Sequence, residues 1–151
     1  MFEPIEHAST SRAYAAACWL LSVLGAAPVL GQAVQRLSPL PYLPPLEAFE
    51  EINLPSWLSL PVQIAVLAAM AAVSWRMHRG GLVPNPRRGR VLAWLGAAYI
   101  AVAFGRIVFG LAVPDAASWL CVWMPTLFHI GLAGFVLTIS AYHRRELPLM
   151  W

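Results

Sequence analysis

Arg106 and His129 are the residues of this 151-residue chain best placed to do chemistry, because each stands inside a long apolar stretch. Ionisable side chains are costly there and usually face a partner or a ligand. The two stretches are joined by the short run Pro114–Ser118, which makes them antiparallel neighbours. At 1.5 Å rise per residue, Arg106 lies about 12 Å and His129 about 16 Å from that turn, within about one helical turn of each other in depth. A guanidinium and an imidazole at one depth suit a ligand bearing carbonyl or carboxylate oxygens, such as a quinone or a cofactor side group. The plainer alternatives are an arginine that snorkels to the interface and a neutral imidazole bonded to a backbone carbonyl. No Asp or Glu occurs inside any apolar stretch. A counterion for Arg106 must therefore come from Asp115, from Glu47, Glu50 or Glu51, from lipid or from another molecule.

His129 and His143 are fourteen residues apart on one stretch. At 100° per residue that returns them to nearly the same helix face, about 21 Å apart. The spacing resembles that of the haem-ligating histidines of the diheme b-type cytochromes. The resemblance is confined to this spacing, and it implies haem b held between His143 and His78, since no histidine stands opposite His129. A chlorin magnesium needs one axial ligand, which His129 alone supplies. Cys18 and Cys121 stand early in the first and fourth stretches, at opposite faces of the membrane, and cannot pair. The chain has no CxxC and no Cys/His cluster, so neither thiol relays nor a metal site is expected. No nucleophile, base and oxyanion hole assemble, no intramembrane carboxylate serves proton coupling, and Arg79-Gly80-Gly81 is a turn, not a phosphate loop. No catalytic residue is assigned, and the balance leans away from an enzyme.

The elements that position these residues are four apolar spans, 14–34, 57–75, 91–113 and 119–142, each long enough to cross a hydrocarbon layer about 30 Å thick. Composition agrees: 60% hydrophobic and 11% charged. All ten basic residues are Arg, and seven of them cluster beside the spans, five in the loop 76–90 and two in the tail. Beside spans, such clusters are an orientation signal and not a nucleic-acid footprint. The first external loop, 35–56, carries Glu47, Glu50 and Glu51 against Arg36, so both termini and the basic loop are expected in the cytoplasm. Trp57, Trp75, Trp119 and Tyr142 bracket spans two and four as interface aromatics do. The acidic N-terminus predicts that the first span is retained and not cleaved as a signal peptide.

The loop 35–56 contains five prolines, which forbid a continuous helix, yet Leu40, Tyr42, Leu43, Phe49 and Ile52 are too apolar for a free linker. It is expected to act as a lid over the outer mouth or as a docking surface, with 46–52 as a short amphipathic helix. Pro28 and Pro125 should bend their helices, and small-residue clusters at 25–27, 68–72, 96–98 and 131–134 should allow tight packing. No clean GxxxG occurs, so self-association is not signalled.

The fold expected is an all-α integral membrane protein of four transmembrane helices, N-in/C-in, forming one domain with a proline-rich, partly structured outer loop between helices 1 and 2. The expected function is a non-catalytic accessory or assembly subunit of a larger, energy-transducing complex of respiratory or photosynthetic type, in a bacterial inner membrane. Its partners would be the bilayer and other membrane subunits, with no nucleic acid. The rival is a membrane protein that binds a small molecule or cofactor (haem b, a quinone or a chlorin) through Arg106 and His129, with His78 and His143 as the haem candidates.

Overall fold

The computed structural model describes the backbone of residues 3–46, 49, 56–112 and 119–145; the side chains of 3–10, 56, 106, 109–111, 119–124 and 145 lie outside that description. Four helices make up most of it: α1 (Glu3–Leu37), α2 (Ser56–His78), α3 (Pro86–Ala112) and α4 (Trp119–Arg145). No strand occurs among the described residues. Three helices contain segments long and apolar enough to cross a membrane: Ser11–Leu37, Trp57–His78 and Pro125–Arg144. Among the described residues no segment of α3, which carries Arg87, Arg88, Arg90 and Arg106, reaches that measure.

The helices outrun the apolar stretches that predict them, because hydropathy marks lipid contact and not the end of backbone hydrogen bonding. α3 begins at Pro86, whose missing N–H is no loss at a first helical position. Asn85 caps it: its Oδ1 accepts from the N–H groups of Arg87 (3.0 Å) and Arg88 (3.2 Å). α2 ends in a Schellman turn at Gly80, whose φ of 69° is a conformation that side chains resist. There Gly80 N–H donates to Met77 O (3.0 Å) and Gly81 N–H to Arg76 O (2.9 Å). The basic segment 76–90 is thus mostly helix ends, and the connection itself is residues 79–85.

The packing order is α2–α1–α4–α3, with α1 and α4 as the inner pair. Glycines set the spacing where backbones approach. A Cβ on Gly131 would lie 3.4 Å from the Gly25 backbone, and one on Gly96 would lie 2.7 Å from Leu137. In lipid this close fit matters more than apolar burial, since lipid tails solvate Leu as well as a neighbouring helix does. The tightest cluster joins Ala15 and Cys18 of α1, Met70 and Met77 of α2, and Phe135, Ile139 and Tyr142 of α4.

After α1, Leu40 N–H donates to Gln35 Oε1 (3.0 Å) and the chain turns at Leu40–Leu43 and again at Leu46–Phe49. Phe49 is buried, its ring against Gly31 of α1. The rest of the helix expected over 46–52 lies outside the described residues, as do Glu47, Glu50, Glu51, the turn 114–118 with Asp115, and Glu146.

Candidate functional site

The four residues singled out by sequence fall in three places. Arg106 is on α3, six residues before its last residue, Ala112, and its side chain lies outside the described residues. His129 is half-buried on α4, where its Nδ1–H donates to the carbonyl of Pro125 one turn earlier. Its ring stacks on Tyr99 of α3 at 5.3 Å between centroids, with planes 17° apart, and meets Phe128 edge-on. The neighbouring of α3 and α4 that the short turn predicts is therefore present, and His129 takes part in it. His78 is exposed at the end of α2 and stacks on Trp75, over which the Arg79 guanidinium also sits at 4.7 Å.

His143 is turned elsewhere. It is buried, and its Nδ1 accepts from the Asn85 N–H at 3.0 Å. That bond puts the ring proton on Nε2, and a neutral ring in this tautomer offers iron no lone pair. Around it the last turns of α4 grip the α2–α3 connection. Ser140 Oγ donates to Gly89 O (2.7 Å), and Tyr142 OH donates to Leu82 O (2.9 Å) while its ring packs edge-on against Tyr14. On the far side, Ser11 Oγ donates to Met77 O (3.0 Å), tying α1 to the end of α2. Only the His143 bond satisfies an N–H at the start of α3, that of Asn85. Met77 O already accepts from Gly80 N–H, so the Ser11 bond adds a second donor to it, and the Ser140 and Tyr142 bonds fasten α4 to Gly89 and Leu82. The arginine-bearing end is a fastened junction in which the histidine serves as an acceptor.

At the opposite end lies a polar group that the search for ionisable residues passed over. Gln32 of α1 is 1% exposed, and its Nε2–H donates to Ser59 Oγ of α2 at 3.3 Å. Its Oε1 is buried with no hydrogen-bonding partner among the described residues. Gln32 borders a small cavity with Gln63 of α2, Phe49, Phe128 and the two helix-interior prolines, Pro28 and Pro125. The signal was present in the sequence: two carboxamides in apolar spans, each within about one helical turn of a proline, Gln32 after Pro28 and Gln63 after Pro61. A second, open groove of about 500 Å³ runs between α1 and α4 along Ala13, Tyr14, Ala17, Leu137, Thr138 and Ala141. Its Thr138 hydroxyl is committed to Gly134 O (2.8 Å), so it presents an apolar face to lipid.

The outer face of α3 carries the other feature that sequence reading missed. Ala97, Ala101 and Gly105 recur every four residues and are all exposed, and a Cβ on Gly105 would meet nothing within 4 Å. Gly96, by contrast, is buried against Leu137 of α4. The small residues of α3 thus divide into an inner set, used against α4, and an outer set with open space beside it.

No protein-family model matches this chain, and neither the curated proteins nor the solved structures yielded a match.

Proposed function

We propose that the protein is a non-catalytic accessory or assembly subunit of a larger membrane complex. In this reading all four helices cross a bacterial inner membrane with both termini in the cytoplasm, and the complex is energy-transducing. The observation that carries it is the open row of small residues Ala97, Ala101 and Gly105 on the edge helix α3, which packs within this chain on α4. In lipid, small residues at four-residue spacing let a second helix approach closely, and van der Waals contact is then the main attraction. The other edge helix, α2, likewise exposes Ala65, Ala68, Ala69 and Ala72. A chain with both edges prepared in this way is suited to sit between neighbours.

The test is extraction of the tagged chain from its native membrane in a mild detergent. Stoichiometric membrane proteins should co-purify, and Gly105→Leu or Ala101→Leu should release them without changing the stability of the chain itself. Recovery of the wild-type chain alone, or identical recovery with both variants, sinks the reading. Orientation is checked separately with an impermeant thiol reagent: a cysteine at Val83 should label only after lysis, and one at Tyr42 in intact cells.

The rival is a cofactor- or ligand-binding protein using Arg106 and His129. It is supported by the Tyr99–His129 stack, which joins the helix of one residue to the other. A visible absorption spectrum of the purified protein separates the two: a chromophore lost on His129→Ala supports the rival, and a colourless protein with stoichiometric partners supports the subunit.

A further inference from the structure

We propose that the cavity at Gln32 is a binding site for a neutral O–H donor, whose hydroxyl sits on Gln32 Oε1. Three observations meet there. Gln32 is almost wholly buried inside a segment apolar enough to span a membrane, yet its carbonyl oxygen is unpartnered among the described residues. A buried amide oxygen without a donor is costly, and at 1% exposure Gln32 is closed to bulk water by the helices around it. The adjoining cavity has a volume of about 10 Å³, the size that holds one water molecule when polar groups line it. Gln63 brings a second carboxamide to the same space from α2, so a guest can donate to one glutamine and accept from the other.

The lining specifies neutrality. Pro28, Gln32, Phe49, Gln63, Pro125 and Phe128 carry no charge, and an ion placed among them would lose its hydration without a counter-charge. It also sets a shape. Pro28 and Pro125 bring ring surface and no N–H donor to the cavity. The Phe49 ring closes the space from the connection, lying so close to Gly31 that a Cβ there would be 2.9 Å from the ring. Phe49 therefore fills a ring-shaped slot without offering the hydroxyl that Gln32 lacks. The same chemistry has two sources: a water molecule beside Phe49, or the hydroxyl of a ring-bearing alcohol or phenol that takes the place of the Phe49 ring.

The experiment uses the full chain in lipid nanodiscs, with phenol and toluene at equal free concentration as probes in thermal unfolding. The two differ by one hydroxyl, and non-specific partition into lipid favours toluene, so a phenol preference reports the site. Phe49→Ala should bind phenol about tenfold more tightly than toluene, as one added hydrogen bond implies. The preference should vanish when Gln32→Leu is added. A wild-type chain indifferent to both probes, with water contacts to the Gln32 side-chain amide read by NMR, identifies water as the guest; a wild-type chain stabilised by phenol alone identifies a ring-bearing ligand. Should Phe49→Ala fail to fold, water contacts to the Gln32 side-chain amide in the wild type, read by NMR and lost in Gln63→Leu, carry the same inference. Equal affinity for the two probes, a preference that survives Gln32→Leu, or the absence of those water contacts in a wild type that ignores phenol overturns it.

Discussion

Replacing Gly89 with alanine should destabilise the protein, although alanine is the better helix former. Gly89 lies in the first turns of α3, pressed against the end of α4. A Cβ there would be 2.8 Å from Arg144 Cγ, 3.0 Å from His143 Cβ and 3.2 Å from the Ser140 carbonyl oxygen. The arginine stem can swing away, but the other two atoms belong to the packed helix, so α3 must lift by a few tenths of an ångström. Lifting strains the Ser140–Gly89 bond of 2.7 Å and the Asn85–His143 bond of 3.0 Å. Overpacking of this kind costs about 1–3 kcal/mol, and each weakened hydrogen bond up to about 1 kcal/mol more. Against this stands a gain of about 1 kcal/mol for Gly→Ala within a helix. The net is a loss centred on about 2 kcal/mol and reaching up to about 4 kcal/mol. Gly105→Ala is the matched control, because open space surrounds its Cβ position and only the propensity gain of up to about 1 kcal/mol remains. Reversible unfolding by SDS in mixed micelles, followed by tryptophan fluorescence, measures both. If Gly89→Ala is neutral, or if the two variants shift together, the close fit of α3 on α4 is not what holds this end.

Three further outcomes are expected. His143→Ala should cost about 1–3 kcal/mol in the same assay, by leaving the Asn85 N–H without its acceptor, whereas His143→Asn, whose Oδ1 falls near the position of Nδ1, should recover most of the loss. In a Cys121→Ser background, Cys18, fully buried among Ala15, Met70 and Met77, should resist maleimide in micelles and react only on unfolding; rapid labelling of the folded protein would contradict that core. For Arg106, partial loss of complex recovery is expected with Lys, which lacks the two-pronged donor, and poor assembly with Leu; normal recovery with both would reduce Arg106 to a residue that merely snorkels.

What could be read from sequence divides along a physical line. Long apolar runs announce helices because lipid forces every backbone N–H and C=O into intrahelical bonds, so the four helices and their order were legible. Their ends were not legible from hydropathy, though local signals marked them: Asn85-Pro86 opens α3 and Gly80-Gly81 closes α2. The usual cost of ionisable groups in lipid singled out His129, and its bond to the Pro125 carbonyl is the plain reading set beside the ligand reading. The same criterion overlooked Gln32 and Gln63, because a carboxamide carries no charge. In hydrocarbon the distinction loses its force. An amide oxygen without a donor is a buried cost of the same kind, smaller per group but without the escape of changing protonation state. An arginine can extend its long stem toward water, while Gln32, although only two residues from the end of the span 14–34, is fully enclosed by protein and bonded through Nε2 to Ser59. For a small helical membrane protein, the neutral polar residue enclosed by its neighbours is therefore a sharper pointer to a bound donor than a charged residue that can extend to water.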